Sequence, residues 1–95
     1  MSSIDNVLKE RGAVYGSYIS GVECRAAILE ALNEKHIEVN SKPMCETQRI
    51  VFGDIALKLM RAASTPTHQD SWLDLAGYSK LINEMIEENK DVFDC

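Results

Sequence analysis

The stretch Asp70–Leu81, DSWLDLAGYSKL, decides the reading of this chain. It has the spacing of a helix, yet it sets carboxylates where a packed helix is usually apolar. At about 100° per residue, Leu75, Tyr78, Leu81, Ile82, Met85 and Ile86 form one broad apolar arc. Asp74 falls on that arc, between Leu81 and Met85, and Asp70 at its edge, while Lys80, Glu84 and Glu87 take the wet side. Asp70 suits the positive end of a helix dipole. Asp74 needs a cationic partner, because an ionised carboxylate facing a core is costly when left alone.

Working outward, punctuation divides the chain into helices. STPTHQDS (64–71) closes one helix and caps the next, which is predicted to run to about Glu88. SKPMCETQ (41–48) reads as a helix start, with Ser41 as cap and Pro43 in the first turn, for a helix ending near Ala63. Before it, a helix from about Tyr18 to Lys35 gives way to a polar connection, KHIEVNSK. SSIDNVLKERG (2–12) predicts a short first helix stopped by Gly12, and AVYGSYISG (13–21) a turn or hinge. No alternating strand pattern, internal repeat or second-domain linker is visible. The expectation is one all-α domain over residues 1–95, a bundle of about four helices, three of them long.

Composition narrows the function classes. The 95 residues are 45% hydrophobic and 26% charged, ordinary for a folded domain, and the formal charge is −5. That balance argues against broad adhesion to nucleic acid or an anionic membrane. No apolar run approaches the roughly 20 residues that span a bilayer, and the opening lacks a signal-peptide layout. Cys24, Cys45 and Cys95 show no zinc or redox spacing, and their odd number suits reduced thiols in a cytoplasmic setting.

Partners for Asp74 are present. The second helix carries Arg25 in the middle of an apolar face of Tyr18, Val22, Ile28, Leu29 and Leu32. The third is apolar almost all round, with Lys58 and Arg61 on its narrow polar strip, so it belongs at the centre or under a second subunit. A homodimer or higher oligomer is therefore expected. Two readings of the charges compete. In one, they are interhelical ion pairs that fix helix register. In the other, they line a polar pocket, with cations for phosphate and Asp70 and Asp74 for a metal or water. Trp72 and Tyr78 could stack on a base, and Tyr15 could close over a ligand; packing and turn roles explain the same residues. His36 reads as a loop residue, and His68 as a capping residue or a proton-transfer group.

Several elements resemble an uncharacterised family of small phage and prophage proteins. They are Arg11, Gly12, Tyr15 and Gly16; Lys58 and Arg61; and Asp70, Ser71, Trp72, Asp74, Ala76, Gly77 and Tyr78. More remotely the layout resembles the all-α NTP pyrophosphohydrolases of the MazG type. That resemblance implies an oligomeric bundle, a nucleotide ligand and Mg2+ held by acids from two helices. The usual acidic spacing there is Glu-x-x-Glu followed by Glu-x-x-Asp. Here Asp70 and Asp74 stand four apart, Glu30 and Glu34 point to the polar side, and Glu84 and Glu87 lie on the wet face. The resemblance thus implies nucleotide binding by Arg25, Lys58, Arg61, Asp70 and Asp74 in the host cytoplasm and leaves hydrolysis open. The alternative is a non-enzymatic phage effector that binds a host protein or sequesters a signalling nucleotide.

Overall fold

The computed structural model describes residues 2–15 and 17–93, with side chains described from residue 3 onward except over 11–15. Four helices follow in order: α1 (Ser2–Tyr15), α2 (Tyr18–Asn40), α3 (Glu46–Ser64) and α4 (Gln69–Glu88). No strand occurs among the described residues. The all-α reading holds, and three boundaries move.

The first lies between α1 and α2. Gly12 does not stop α1, which continues to Tyr15. The break comes at Ser17, whose backbone is extended (φ −72°, ψ 149°) and whose hydroxyl accepts from the Ser20 amide. Of the turn or hinge expected over 13–21, residues 13–15 and 18–21 are helical and Ser17 is the non-helical position described; residue 16 lies outside the described residues.

The second is the end of α2, five residues beyond Lys35. Ser41 caps it in the left-handed region (φ 61°, ψ 21°) and donates its N–H to the Ile37 carbonyl at 2.8 Å. The polar tail stays helical because its side chains are occupied. Lys35 pairs with Glu38 at 3.3 Å. His36, expected in a loop, lies within α2, and its Nδ1 meets the Lys42 carbonyl at 2.7 Å. One turn earlier, Asn33 Oδ1 accepts from the Met44 amide at 2.8 Å.

The third is the start of α3. Pro43 precedes the helix, and Cys45 takes the cap position in extended backbone (φ −76°, ψ 171°). Gln48 Oε1 accepts from the Cys45 amide at 2.8 Å, and Gln48 Nε2 lies 3.2 Å from His36 Nε2. With Nδ1–H donating to Lys42, the neutral His36 ring accepts from Gln48, so one side chain ties the end of α2 to the start of α3.

Helix α3 packs against each of the other three, with α2 and α4 as its main neighbours. Gly21 of α2 lies against Met60 of α3, where an added Cβ would stand 3.2 Å from Met60 Cε. The result is an open arrangement with α2 and α4 each packed on α3, and the chain as a whole measures 46 × 27 × 26 Å. Among the described residues only Met44, Ala56 and Ala62 are buried apolar side chains, and no large side chain is fully buried. No helix among them is long and apolar enough to cross a membrane. Cys24 is a free thiol, whereas Cys45 is disulfide-bonded, which corrects the expectation of fully reduced cysteines. Cys95 lies outside the described residues.

Candidate functional site

The packed side of α4 is narrower than the arc read from the sequence. Ser71, Leu75, Tyr78, Ile82 and Met85 are buried or half-buried against α3, whereas Leu81 is 60% exposed and Ile86 also reaches solvent. Asp74 consequently sits on the rim of the contact, 49% exposed. Its partner is Lys58, whose Nζ lies 2.8 Å from Asp74 Oδ2. Only 13% of the Lys58 side chain is exposed: the stem lies in the seam between α3 and α4 and delivers its ammonium to the rim. A charge-assisted hydrogen bond of this length locks the two helices in register. Of the candidate cations, the structure thus gives Asp74 to Lys58 and not to Arg25.

The other candidate residues are spread over all four helices. Arg61, three residues beyond Lys58, is half-buried and engaged in its own interaction. Asp70 is exposed in the first turn of α4, where the helix dipole favours it. Trp72 is exposed over half its surface, and its indole N–H donates to the Pro66 carbonyl at 2.7 Å, fastening the α3–α4 loop. Tyr78 belongs to the packed side of α4, and His68 stands at its N-cap position without a side-chain bond to the first turn. The side chains of Arg11 and Tyr15 lie outside the described residues, as does the whole of residue 16.

Arg25 stands on another helix. It is half-buried on α2, and its Nε is buried with no hydrogen-bond partner among the described residues. A guanidinium N–H in that position lacks an acceptor that the fold would normally provide.

The donor set at Asp70 and Asp74 falls short of a resident divalent-cation site. One Asp74 oxygen already holds an ammonium. No group of three or more His, Cys, Asp or Glu side chains converges among the described residues. Magnesium prefers a near-octahedral oxygen cage and keeps several waters, so two carboxylates, one of them engaged, supply little charge neutralisation.

Sequence reasoning missed a second feature. A cleft of about 320 Å³ opens between α2 and α3, lined by Ala26, Leu29, Glu30, Asn33, Met44 and Arg49. Arg49 donates from Nε to the Met44 carbonyl at 3.3 Å. The polar wall comes from residues that hold the 41–45 connection. The signal for it in the sequence was slight: Asn33, a single amide one turn from Leu29 on an apolar face.

No curated protein and no solved structure matches the chain. A family model does match, over residues 3–86, which is nearly the whole described helical unit. The chain belongs to the family described as a domain of unknown function, DUF6378.

Proposed function

We propose that this domain binds a phosphate-bearing, nucleotide-like anion and does not hydrolyse it. The observation that carries the reading is Arg25, whose buried Nε finds no acceptor among the described residues. Leaving a buried donor unmade costs about 1–3 kcal/mol, and more for a charged group. A phosphate oxygen repairs that loss, because the planar guanidinium meets phosphate with two parallel N–H donors. The likeness to MazG-type proteins, a phage origin and a cytoplasmic site of action belong to the same proposal.

Hydrolysis is left out of the proposal for a physical reason. Metal-assisted attack on a phosphoanhydride relies on acids that hold the ion and activate water. Asp74 instead holds Lys58 at 2.8 Å, and Asp70 stands exposed one turn away. Lys58 is neutralised by the same contact, so Arg25 is the stronger anion donor.

Calorimetry with a panel of NTPs and cyclic nucleotides, with and without magnesium, tests this. Saturable heat is expected with at least one member, weakened about tenfold or more in Arg25→Ala and less in Lys58→Met. Pyrophosphate release is expected to stay at the buffer rate. Absence of heat across the panel, or unchanged affinity in Arg25→Ala, would overturn the reading.

A further inference from the structure

We infer that His36 is a proton-operated clasp between α2 and α3, closed while the ring is neutral and released when it is protonated. The inference is independent of the anion reading and uses none of its residues. Hydrogen-bond geometry fixes where the ring proton sits. His36 Nδ1 lies 2.7 Å from the Lys42 carbonyl, and a carbonyl only accepts, so Nδ1 carries a hydrogen. Across the ring, Nε2 lies 3.2 Å from Gln48 Nε2, which only donates, so this ring nitrogen supplies a lone pair. Gln48 is not free to turn its amide over, because its Oε1 accepts from the Cys45 amide at 2.8 Å. That bond is one half of the capping box that starts α3.

A proton added at Nε2 sets N–H against N–H. Both ring nitrogens then donate and Gln48 presents no acceptor, so either the ring contact or the bond to Cys45 is given up. No neighbouring group offsets the change. On α2, the residues one turn from His36 on its own face are Leu32, Asn33, Val39 and Asn40, none of which titrates. Lys35 and Glu38 flank it and pair with each other at 3.3 Å, and Glu34, two positions back, does not share its face. The connection contributes Lys42, and the first turn of α3 contributes Glu46 and Arg49, all three exposed. Cys45 is disulfide-bonded and does not titrate. Among the described residues no carboxylate forms an ion pair with the ring.

What the clasp holds is one wall of the cleft between α2 and α3. Met44 precedes Cys45, Arg49 follows Gln48, and both line that cleft. Met44 donates its amide to Asn33 and accepts from Arg49 Nε, so the wall is tied to α2 at Asn33 and again at His36. Protonation removes the second tie and leaves the first. The wall is therefore firm with the neutral ring and lax with the charged one. The folded chain favours the neutral ring and the unfolded chain does not, so this contribution to stability grows as pH rises.

NMR of the ring nitrogens and urea unfolding test the inference on the full chain, between about pH 7.5 and about pH 5.5, where histidine changes charge. At the higher pH His36 is expected as the Nδ1–H tautomer. The Gln48 side-chain amide and the backbone amides of Met44 and Cys45 should shift together with its protonation. The wild-type urea midpoint should fall by about 0.5–1 M over that range. His36→Asn should start lower and lose most of that fall. Gln48→Glu offers a carboxylate that accepts from the Cys45 amide and from the charged ring alike, so its midpoint should hold or rise as pH falls. If His36 only packed, His36→Asn would lose equally at both ends of the range and Gln48→Glu would keep the wild-type slope. That parallel behaviour would overturn the inference, as would an Nε2–H tautomer at the higher pH. Should Gln48→Glu fail to fold by circular dichroism, the tautomer and the His36→Asn slope still decide.

Discussion

Removing Asp74 and removing Lys58 should cost different amounts, and the difference comes from the geometry of the seam. As a fully buried pair, loss of either partner would cost about 3–5 kcal/mol. An exposed pair would be worth about 0–1 kcal/mol. The contact between Lys58 and Asp74 is neither, with one side chain 13% exposed and the other 49%. Asp74→Ala leaves an ammonium on a mostly buried stem without its carboxylate, and about 1.5–3 kcal/mol is expected. Lys58→Met keeps the apolar stem in the seam and leaves a carboxylate that water already reaches; about 0–1 kcal/mol is expected. For a chain of this length, with roughly 5–14 kcal/mol in total, the first is a large fraction and the second is not.

Urea unfolding followed by circular dichroism measures both. The two variants and the wild type must be compared at one protomer concentration, because self-association would add to apparent stability. At a slope of about 1–2 kcal/mol per molar urea, Asp74→Ala should shift the midpoint by about 1 M or more, with Lys58→Met close to wild type. The double variant should lie nearer to Lys58→Met than to the sum, since removing both charges leaves nothing uncompensated. Equal large losses would mean that Asp74 is as buried as Lys58. No loss from Asp74→Ala would mean that the ammonium reaches water unaided. Either result refutes the reasoning.

Two further expectations concern packing. An added Cβ at Gly77 meets nothing within 4 Å, so Gly77→Ala should stabilise by about 0.5–1 kcal/mol through helix propensity. At Gly21 the same Cβ meets Met60 Cε and Sδ at 3.2 and 3.3 Å, a flexible side-chain end, so Gly21→Ala should be near neutral while Gly21→Leu loses about 1–3 kcal/mol. Denaturation midpoints that rank Gly21→Leu above wild type, or Gly77→Ala below it, would contradict this. Asn33→Ala orphans the Met44 amide next to a buried side chain and should cost about 1–2 kcal/mol, whereas Asn33→Asp keeps an acceptor and should cost less. Equal stability of the two variants would sink that account.

The helices were legible because their ends carry local chemistry. Asp70 in a first turn and the periodic run to Glu88 define α4 within a single segment. What escaped depends on contacts between segments. HIEVN (36–40) reads as loop by polarity, yet His36 and Asn33 are spent on the connection 42–44, which no window around them reveals. The arc of α4 was about right in direction and too wide. A 100° period locates a face but not the line along it that a neighbour touches, and α3 takes Leu75, Tyr78 and Ile82 while leaving Leu81 outside. Within the candidate site the need of Asp74 for a cation was readable, and Lys58 was among the candidates. That the pair sits on a rim, and that Arg25 keeps an unsatisfied Nε, required the packing. Cysteine parity misled at Cys45, since an odd count says nothing about which thiols pair.

The apolar third helix pointed toward a second subunit, and the structure moves the reason elsewhere. In an open arrangement of this kind the central helix is covered on two sides by its own chain, and the flanking helices on one. Accordingly most large apolar residues of α3 are half-buried, and only Ile50 and Leu59 are exposed, while α1, α2 and α4 carry the remainder of the exposed set. Most of the exposed large apolar side chains among the described residues therefore lie on α1, α2 and α4. Arg25 follows on α2 one turn after Val22, close in sequence to those side chains but on a half-buried face. On the reading proposed above, the acceptor for the Arg25 Nε is a phosphate oxygen of the ligand. Arg25→Ala should therefore lower nucleotide affinity and leave the mass of the protein in solution unchanged, which calorimetry and light scattering on both forms would check.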